Sequence, residues 1–113
     1  MKAAVWYNRR DVRVVDVEEP QVEEGKVKIE VEWCGICGSD LHEYASGPIT
    51  IPVNKPHPLT GQVAPVILGH EFSGRVVETG KGVKHLQAGD RVVVEPILRC
   101  GQCDPCRRGY YNL

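Results

Sequence analysis

Apolar and polar residues alternate most regularly between positions 26 and 33, and this pattern is the clearest structural signal in the chain. Val27, Ile29, Val31 and Trp33 alternate there with lysine and glutamate. A period of two residues is typical of a β-strand with one buried face. The pattern therefore predicts a strand that leads directly into the cysteine-containing segment after it.

Shorter runs of β-forming residues occupy much of the remaining sequence. Segments 3–7 and 12–17 flank the polar turn 8–11, which predicts a hairpin. Further strands are predicted at 72–79 and 91–95, each followed by glycine or proline. Many short strands with such turns predict a mainly β fold, either a barrel or a sandwich.

One short helix and one long loop are predicted in the middle of the chain. Ser39 and Asp40 can cap a helix that runs to Ala45 and ends at the following Gly-Pro pair. Five prolines between positions 47 and 65 argue against regular strand pairing, so this stretch is predicted to be an ordered surface loop. His57 lies inside it and is interpreted as an exposed loop histidine rather than a ligand.

Length and charge limit the possible functions. The chain has 113 residues, which suits one domain, and its 14 basic and 15 acidic residues give a net charge of −1. This balance favours neither a nucleic acid nor an anionic membrane as partner. The sequence lacks an apolar run suited to a signal peptide or a membrane span, and its five cysteines then favour a reducing compartment, the cytoplasm.

A cluster of reactive side chains follows the predicted strand at 26–33. Segment 34–42 brings thiols, a hydroxyl, a carboxylate and an imidazole into nine positions, and His70 and Glu71 come later in the chain. A thiolate and an imidazole are zinc ligands, but a catalytic zinc usually has three protein ligands and one open position. The set is therefore incomplete. Cys34 is interpreted as a small buried residue at the end of its strand rather than as half of a redox pair with Cys37.

A second cysteine cluster lies near the end of the sequence. Cys100, Cys103 and Cys106 are spaced at intervals that allow three sulfurs to surround one ion. A closed structural zinc site needs a fourth ligand. An iron–sulfur loop of the bacterial ferredoxin type is the alternative, but Tyr110 stands where that run requires its fourth cysteine. The spacing therefore favours zinc.

Four motifs, in the same order and across nearly the whole chain, resemble the zinc-containing medium-chain dehydrogenases. They are CGICGSDLHEY at 34–44, GHEFSG at 69–74, GDRVVVEP at 89–96 and the cysteine cluster from position 100. Within the family, segment 33–44 and the loop around His57 resemble the group that acts on 2,3-butanediol. The fold that this resemblance implies is a GroES-like, partly open β-barrel with a short helix and a cysteine-rich zinc loop.

The resemblance also implies two zinc sites. Cys37 and His70 are expected to bind the catalytic zinc, and Glu71 lies beside the metal as a transient ligand. Cys100, Cys103 and Cys106 are expected to supply the first three ligands of a structural zinc site. The remaining ligands of both sites, and the Rossmann domain that binds NAD or NADP, would lie outside residues 1–113, so we expect these residues to be an N-terminal fragment of a longer enzyme.

The family's mechanism assigns roles to three further residues. Ser39 is expected to take the proton of the alcohol, and His42 to end the proton relay through the ribose of the cofactor. Asp40 is expected to orient His70 by a hydrogen bond to its far ring nitrogen. The implied reaction is oxidation of a secondary alcohol or diol by a homo-oligomeric enzyme, and the 113-residue chain alone is expected to be inactive.

Two kinds of alternative remain open at this stage. The GroES-like barrel also occurs in a co-chaperonin of similar size, which would need none of the cysteine or histidine clusters. Within the dehydrogenase family, a sorbitol-like polyol or threonine is an alternative substrate to butanediol.

Overall fold

The computed structural model describes residues 1–113 and contains six strands and two helices. In chain order these are β1 (Lys2–Asn8), β2 (Asp11–Asp16), β3 (Val27–Gly35), α1 (Gly38–Ser46), β4 (Val66–Ile67), β5 (Glu71–Thr79), β6 (Arg91–Val93) and α2 (Asp104–Arg107). The strands form two three-stranded sheets with the orders β2-β1-β4 and β3-β5-β6. The prediction of a mainly β fold is confirmed, and the two sheets are open.

The predicted hairpin forms two of the three strands of the first sheet. β1 and β2 are antiparallel, and Trp6 lies opposite Val12. Arg10 in the connecting turn has a φ of 58°, a left-handed conformation that tight hairpin turns require. The other edge of β1 pairs with β4, where Val66 lies opposite Trp6. The sequence did not indicate β4, because the prolines before it obscured so short a strand.

The second sheet determines where the two predicted metal-binding segments lie. β3 and β5 are antiparallel, and the last residue of β3, Gly35, lies opposite the first residue of β5, Glu71. In an antiparallel pair the end of one strand is adjacent to the start of the other. The chain that leaves β3 towards Cys37 is therefore adjacent to the chain that enters β5 through His70.

The pairing of β3 with β5 depends on the absence of a side chain at Gly74. A Cβ atom at this position would overlap the backbone oxygen of Glu30 and lie 2.8 Å from Cγ2 of Ile29. Both of those residues belong to β3, so the two backbones can approach each other closely only because position 74 is glycine.

The fully buried core is small. Ala3, Val5, Trp6 and Val76 are its apolar members, and Trp6 has no exposed surface. The prediction that the alternating residues of β3 share one buried face is wrong at its second half, because Trp33 is 76% exposed. The residues of β3 are partly buried up to Ile29 and exposed from Glu30 to Gly35.

Local structure around the two clusters differs from the predictions in two respects. Cys37, rather than Ser39 or Asp40, is the N-cap of α1. The segment that follows Cys103 forms the short helix α2, with a proline in its first turn, where the sequence predicted only a turn-rich loop. Neither helix is both long and apolar enough to cross a membrane.

Candidate metal centres

Three side chains with metal-binding atoms converge where β3 ends and β5 begins. The ligand atoms of Cys37, His70 and Glu71 all lie within 4.8 Å of one another. Cys37 and His70 are partly buried, and Glu71 is exposed. Sulfur, nitrogen and oxygen at these separations form a donor set that suits zinc.

Helix α1 fixes the position of Cys37. The backbone N–H of Cys37 donates a 2.9 Å hydrogen bond to Oδ2 of Asp40, the third residue of the helix. A carboxylate at this position also interacts favourably with the positive end of the helix dipole. Asp40 therefore stabilises the turn that presents the Cys37 thiol to the neighbouring segment.

His70 lies between two other side chains of α1. Oγ of Ser39 is 3.3 Å from Nε2 of His70, and Oδ1 of Asp40 is 3.6 Å from Nδ1. The first distance allows a hydrogen bond, and the second is somewhat longer than one. Ser39 thus lies at one ring nitrogen of His70, and Asp40 lies at the other. The roles assigned to both residues stay predictions.

His42 is on the same helix but outside the cluster. Its side chain is exposed and makes no hydrogen bond within the chain. An exposed imidazole can exchange protons with solvent or with a bound molecule. Its position is compatible with the end of a relay, and its role in binding a cofactor stays a prediction.

An open cavity of about 450 Å³ lies next to the first cluster. His70 and Glu71 line it, as do the apolar residues Trp33, Phe72 and Val93. Polar ligands beside an apolar wall would suit a small molecule with one hydroxyl group and a short carbon chain.

Cys100, Cys103 and Cys106 form the second cluster. Their sulfur atoms lie within 4.8 Å of one another, and those of Cys100 and Cys106 are 3.9 Å apart. Backbone N–H groups of Gln102 and Cys103 donate to Sγ of Cys100 and lower the pKa of its thiol to about 7. A cysteine binds a metal ion as the thiolate, so this environment favours metal binding near neutral pH.

The pKa of Cys103 is shifted in the opposite direction. The backbone N–H of Cys106 lowers this pKa, but hydrogen bonds with the Cys106 and Cys100 thiols, together with some loss of hydration and the charge on Cys100, raise it overall. Three sulfurs that share hydrogen bonds in this way cannot all ionise easily without a cation between them.

Aromatic contacts attach the second cluster to the second sheet. The hydroxyl of Tyr111 donates a 3.0 Å hydrogen bond to Glu95, which follows β6. The guanidinium of Arg99 lies 4.8 Å from the centre of the Tyr111 ring. Arg99 precedes the three cysteines and Tyr111 follows them, so these contacts join the two ends of the cysteine loop next to Glu95.

Two residues differ from the expectations or were missed. Cys34 is exposed rather than buried, and a Cβ atom on Gly69 would lie 2.8 Å from its sulfur. Glu43 on α1 is only 4% exposed and was not identified from the sequence. The one available signal was its spacing of three and four residues from Asp40 and Ser39, which puts all three on one helical face.

A comparison with protein-family models matches residues 23–113 to the alcohol dehydrogenase GroES-like domain. The chain is also 62% identical, over all 113 residues, to an (R,R)-butanediol dehydrogenase of Bacillus subtilis. It spans 32% of the length of that relative.

Solved structures give a consistent result. The crystal structure of the 2R,3R-butanediol dehydrogenase from Bacillus subtilis matches with a TM-score of 0.86 and 66% identity, over 88% of this chain and 28% of that one. A cobalt- and zinc-bound thermostable alcohol dehydrogenase from Pyrobaculum aerophilum matches with a TM-score of 0.80 and 30% identity, over 100% of this chain and 32% of that one. These matches favour the dehydrogenase interpretation over the co-chaperonin one.

Proposed function

Because the chain belongs to the alcohol dehydrogenase family through its GroES-like domain, we propose that it is the metal-holding part of a zinc-dependent dehydrogenase. The proposed reaction is oxidation of a secondary alcohol of the 2,3-butanediol type, with hydride transfer to NAD or NADP. The observation that carries the proposal is the convergence of Cys37, His70 and Glu71 within 4.8 Å beside an open cavity.

The donor atoms support zinc as the metal. A thiolate and an imidazole are its usual ligands, and Glu71 adds a carboxylate that can bind transiently. When bound, zinc would act as a Lewis acid that lowers the pKa of the substrate hydroxyl. Because Glu71 would bind only transiently, the site leaves room for a further ligand from another part of a longer protein.

The residues of α1 would orient the ligands and carry the proton. Asp40 would hold the His70 ring in position from its far nitrogen. Oγ of Ser39, which lies 3.3 Å from the other nitrogen, would accept the proton of the alcohol. His42 would receive that proton through the cofactor ribose and release it to solvent, consistent with its exposure on the same helix.

The nicotinamide cofactor would be bound by a separate part of the protein. Hydride transfer needs an acceptor, and nicotinamide cofactors are usually held by a Rossmann domain. The first relative is about three times as long as this chain, which is enough for such a domain. We therefore propose that residues 1–113 correspond to the catalytic domain of an enzyme with a second, cofactor-binding domain.

The second cluster would hold a structural zinc. Cys100, Cys103 and Cys106 would supply three thiolates, and a fourth cysteine from the longer protein would close the site. The free state of all five cysteines supports a location in the reducing cytoplasm. The proposed enzyme is a homo-oligomer that acts on a small alcohol or diol.

A chimeric enzyme tests this proposal. The chain would replace the matching segment of the Bacillus subtilis butanediol dehydrogenase, which is 62% identical to it. We expect the zinc-loaded chimera to oxidise (R,R)-2,3-butanediol in the presence of a nicotinamide cofactor, and the same chimera with Cys37→Ser to be inactive. The 113-residue chain alone should show no turnover.

Two outcomes would contradict the proposal. One is a chimera that folds and binds zinc but does not oxidise butanediol, sorbitol or threonine. The other is a Cys37→Ser chimera with undiminished turnover. If the chimera oxidised sorbitol or threonine in preference to butanediol, the proposed reaction would stand and the proposed substrate would be wrong.

A further inference from the structure

Glu43 is a buried carboxylate with no part in the mechanism above. The residue is 4% exposed, although it lies on a helix whose other residues are mostly exposed. Burying a charged group is unfavourable unless hydrogen bonds replace the lost water. The contacts of this carboxylate therefore indicate what it stabilises.

All the hydrogen bonds to the Glu43 carboxylate come from one segment, Ile49–Ile51. Oε2 accepts a 2.9 Å bond from the backbone N–H of Ile49. Oε1 accepts bonds from the backbone N–H of Thr50, from the Thr50 hydroxyl at 2.7 Å and from the backbone N–H of Ile51 at 3.0 Å. One carboxylate thus accepts hydrogen bonds from three consecutive backbone N–H groups, and none of these groups has a backbone acceptor.

The main chain of Glu43 is equally constrained. Its carbonyl oxygen accepts a 3.2 Å hydrogen bond from Nε1 of Trp6, which is wholly buried in the first sheet. The same oxygen accepts a 3.0 Å bond from the backbone N–H of Gly47. Glu43 therefore connects α1 to the first sheet on one side and to segment 49–51 on the other.

The face of α1 that carries Glu43 also carries two residues of the candidate site. Ser39 and Asp40 precede Glu43 by four and three positions, so the three side chains are neighbours on the helix. Together with segments 50–51 and 66–70 they line a cavity of about 190 Å³. The orientation of α1 across this cavity decides how far Ser39 and Asp40 lie from His70.

We propose that Glu43 is a positioning residue for the metal site. Its carboxylate fixes segment 49–51 against α1 and so holds Ser39 and Asp40 at the two ring nitrogens of His70. The contacts of His70 with these residues, at 3.3 and 3.6 Å, would be lost if the helix moved by about 1 Å. The predicted effect on turnover rests on the proposed function, and the effect on segment 49–51 does not.

Hydrogen exchange measures the structural part of this proposal. We expect Glu43→Ala to raise the exchange rate of the amides in segment 49–51 of the full chain by about tenfold or more, because they lose their acceptor. Glu43→Gln keeps an oxygen at Oε1 but turns an N–H₂ group towards the Ile49 amide. The exchange rate of segment 49–51 in this variant should therefore lie between those of the wild type and Glu43→Ala. Glu24→Gln, at an exposed glutamate, is the matched control and should change nothing.

Kinetics of the chimera measure the functional part. We expect Glu43→Ala to lower kcat by about tenfold or more, with a smaller change in KM and with zinc still bound, because proton transfer needs Ser39 in place. Glu43→Gln should recover part of the loss. Substitution of a residue that only stabilised the fold would change the unfolding midpoint but would not lower kcat more than it changes KM.

The outcomes are distinguishable. A folded Glu43→Ala variant with wild-type exchange at 49–51, or one with raised exchange and wild-type kcat, would overturn the proposal. If Glu43→Ala does not fold, Glu43→Gln decides, and wild-type exchange and kcat in that variant would overturn it as well. If the unsubstituted chimera oxidises no alcohol, the proposed function fails. The exchange rates still test whether Glu43 fixes segment 49–51.

Discussion

Asp40 Oδ1 lies 3.6 Å from Nδ1 of His70, while its other oxygen accepts a hydrogen bond from the backbone N–H of Cys37. One carboxylate therefore contacts both chain segments that carry the candidate metal ligands. These segments are distant in sequence, and the pairing of Gly35 with Glu71 brings them together. We expect Asp40 to stabilise the relative position of the two segments.

Substitution of Asp40 should weaken metal binding at the first cluster. We expect Asp40→Ala to reduce zinc affinity by about 10- to 100-fold, because His70 loses its orienting partner and Cys37 loses the acceptor for its N–H. Competition with a chromophoric chelator measures this affinity. Asp40→Asn retains an oxygen acceptor, so its zinc affinity should lie between those of the wild type and Asp40→Ala. An unchanged affinity in Asp40→Ala would contradict the assigned role.

The thiols of the second cluster should react at different rates. With its pKa lowered to about 7 by backbone hydrogen bonds, about half of Cys100 is thiolate at neutral pH. We therefore expect the rate of alkylation of Cys100 in zinc-free protein to rise between pH 6 and pH 8 and then level off. Cys103, whose pKa is raised, should react more slowly across this range. Peptide mapping after iodoacetamide treatment measures both rates, and equal rates would contradict the assignment.

Acid should destabilise the chain partly through Glu43. Burial alone would raise the pKa of this carboxyl, but the hydrogen bonds from Thr50, Ile49 and Ile51 outweigh it and hold the pKa below its ordinary value of 4.5. A lowered pKa in the folded state stabilises the fold above about pH 4.5, and this stabilisation is lost as pH falls through the folded value. Urea unfolding between pH 3 and pH 6 should show a smaller pH dependence in Glu43→Gln than in the wild type or in Glu24→Gln. An equal dependence in all three would refute the prediction.

A methyl group at Gly74 should disrupt the second sheet. Gly74→Ala places a Cβ against the backbone of Glu30, where a rigid strand cannot give way. We expect a loss of about 2 kcal/mol or more in the free energy of unfolding. Gly38→Ala is the matched control, because a Cβ there meets no atom within 4 Å and alanine is the better helix former. Chemical denaturation of the two variants should give clearly different midpoints, and similar midpoints would contradict the close approach.

The sequence predicted the strands better than it predicted burial. A period of two located β3 correctly because alternation is a property of the strand itself. Which part of the alternating face is covered depends on the other sheet, and so Trp33 was expected to be buried but is 76% exposed. Cys34 was misjudged for the same reason.

The candidate site could be predicted only in part. The donor types and their spacing indicated zinc, but the proximity of Cys37 and His70 depends on the strand register, which local patterns do not specify; the resemblance to a family supplied that pairing. Glu43 was missed because its role depends on segment 49–51 folding back onto α1. Its spacing from Ser39 and Asp40 indicated a shared helical face, but nothing in the sequence indicated that the face would be covered at this position.

Metal analysis of cysteine variants tests the central claim, that Cys37 and His70 hold one zinc ion. The measurement is the zinc content of the purified chimera with Cys37→Ser, beside a Cys34→Ser control that changes a neighbouring exposed thiol outside the cluster. We predict that Cys37→Ser loses the zinc of the first cluster and keeps that of the second, and that Cys34→Ser keeps both. Retention of both zinc ions in Cys37→Ser would contradict the account.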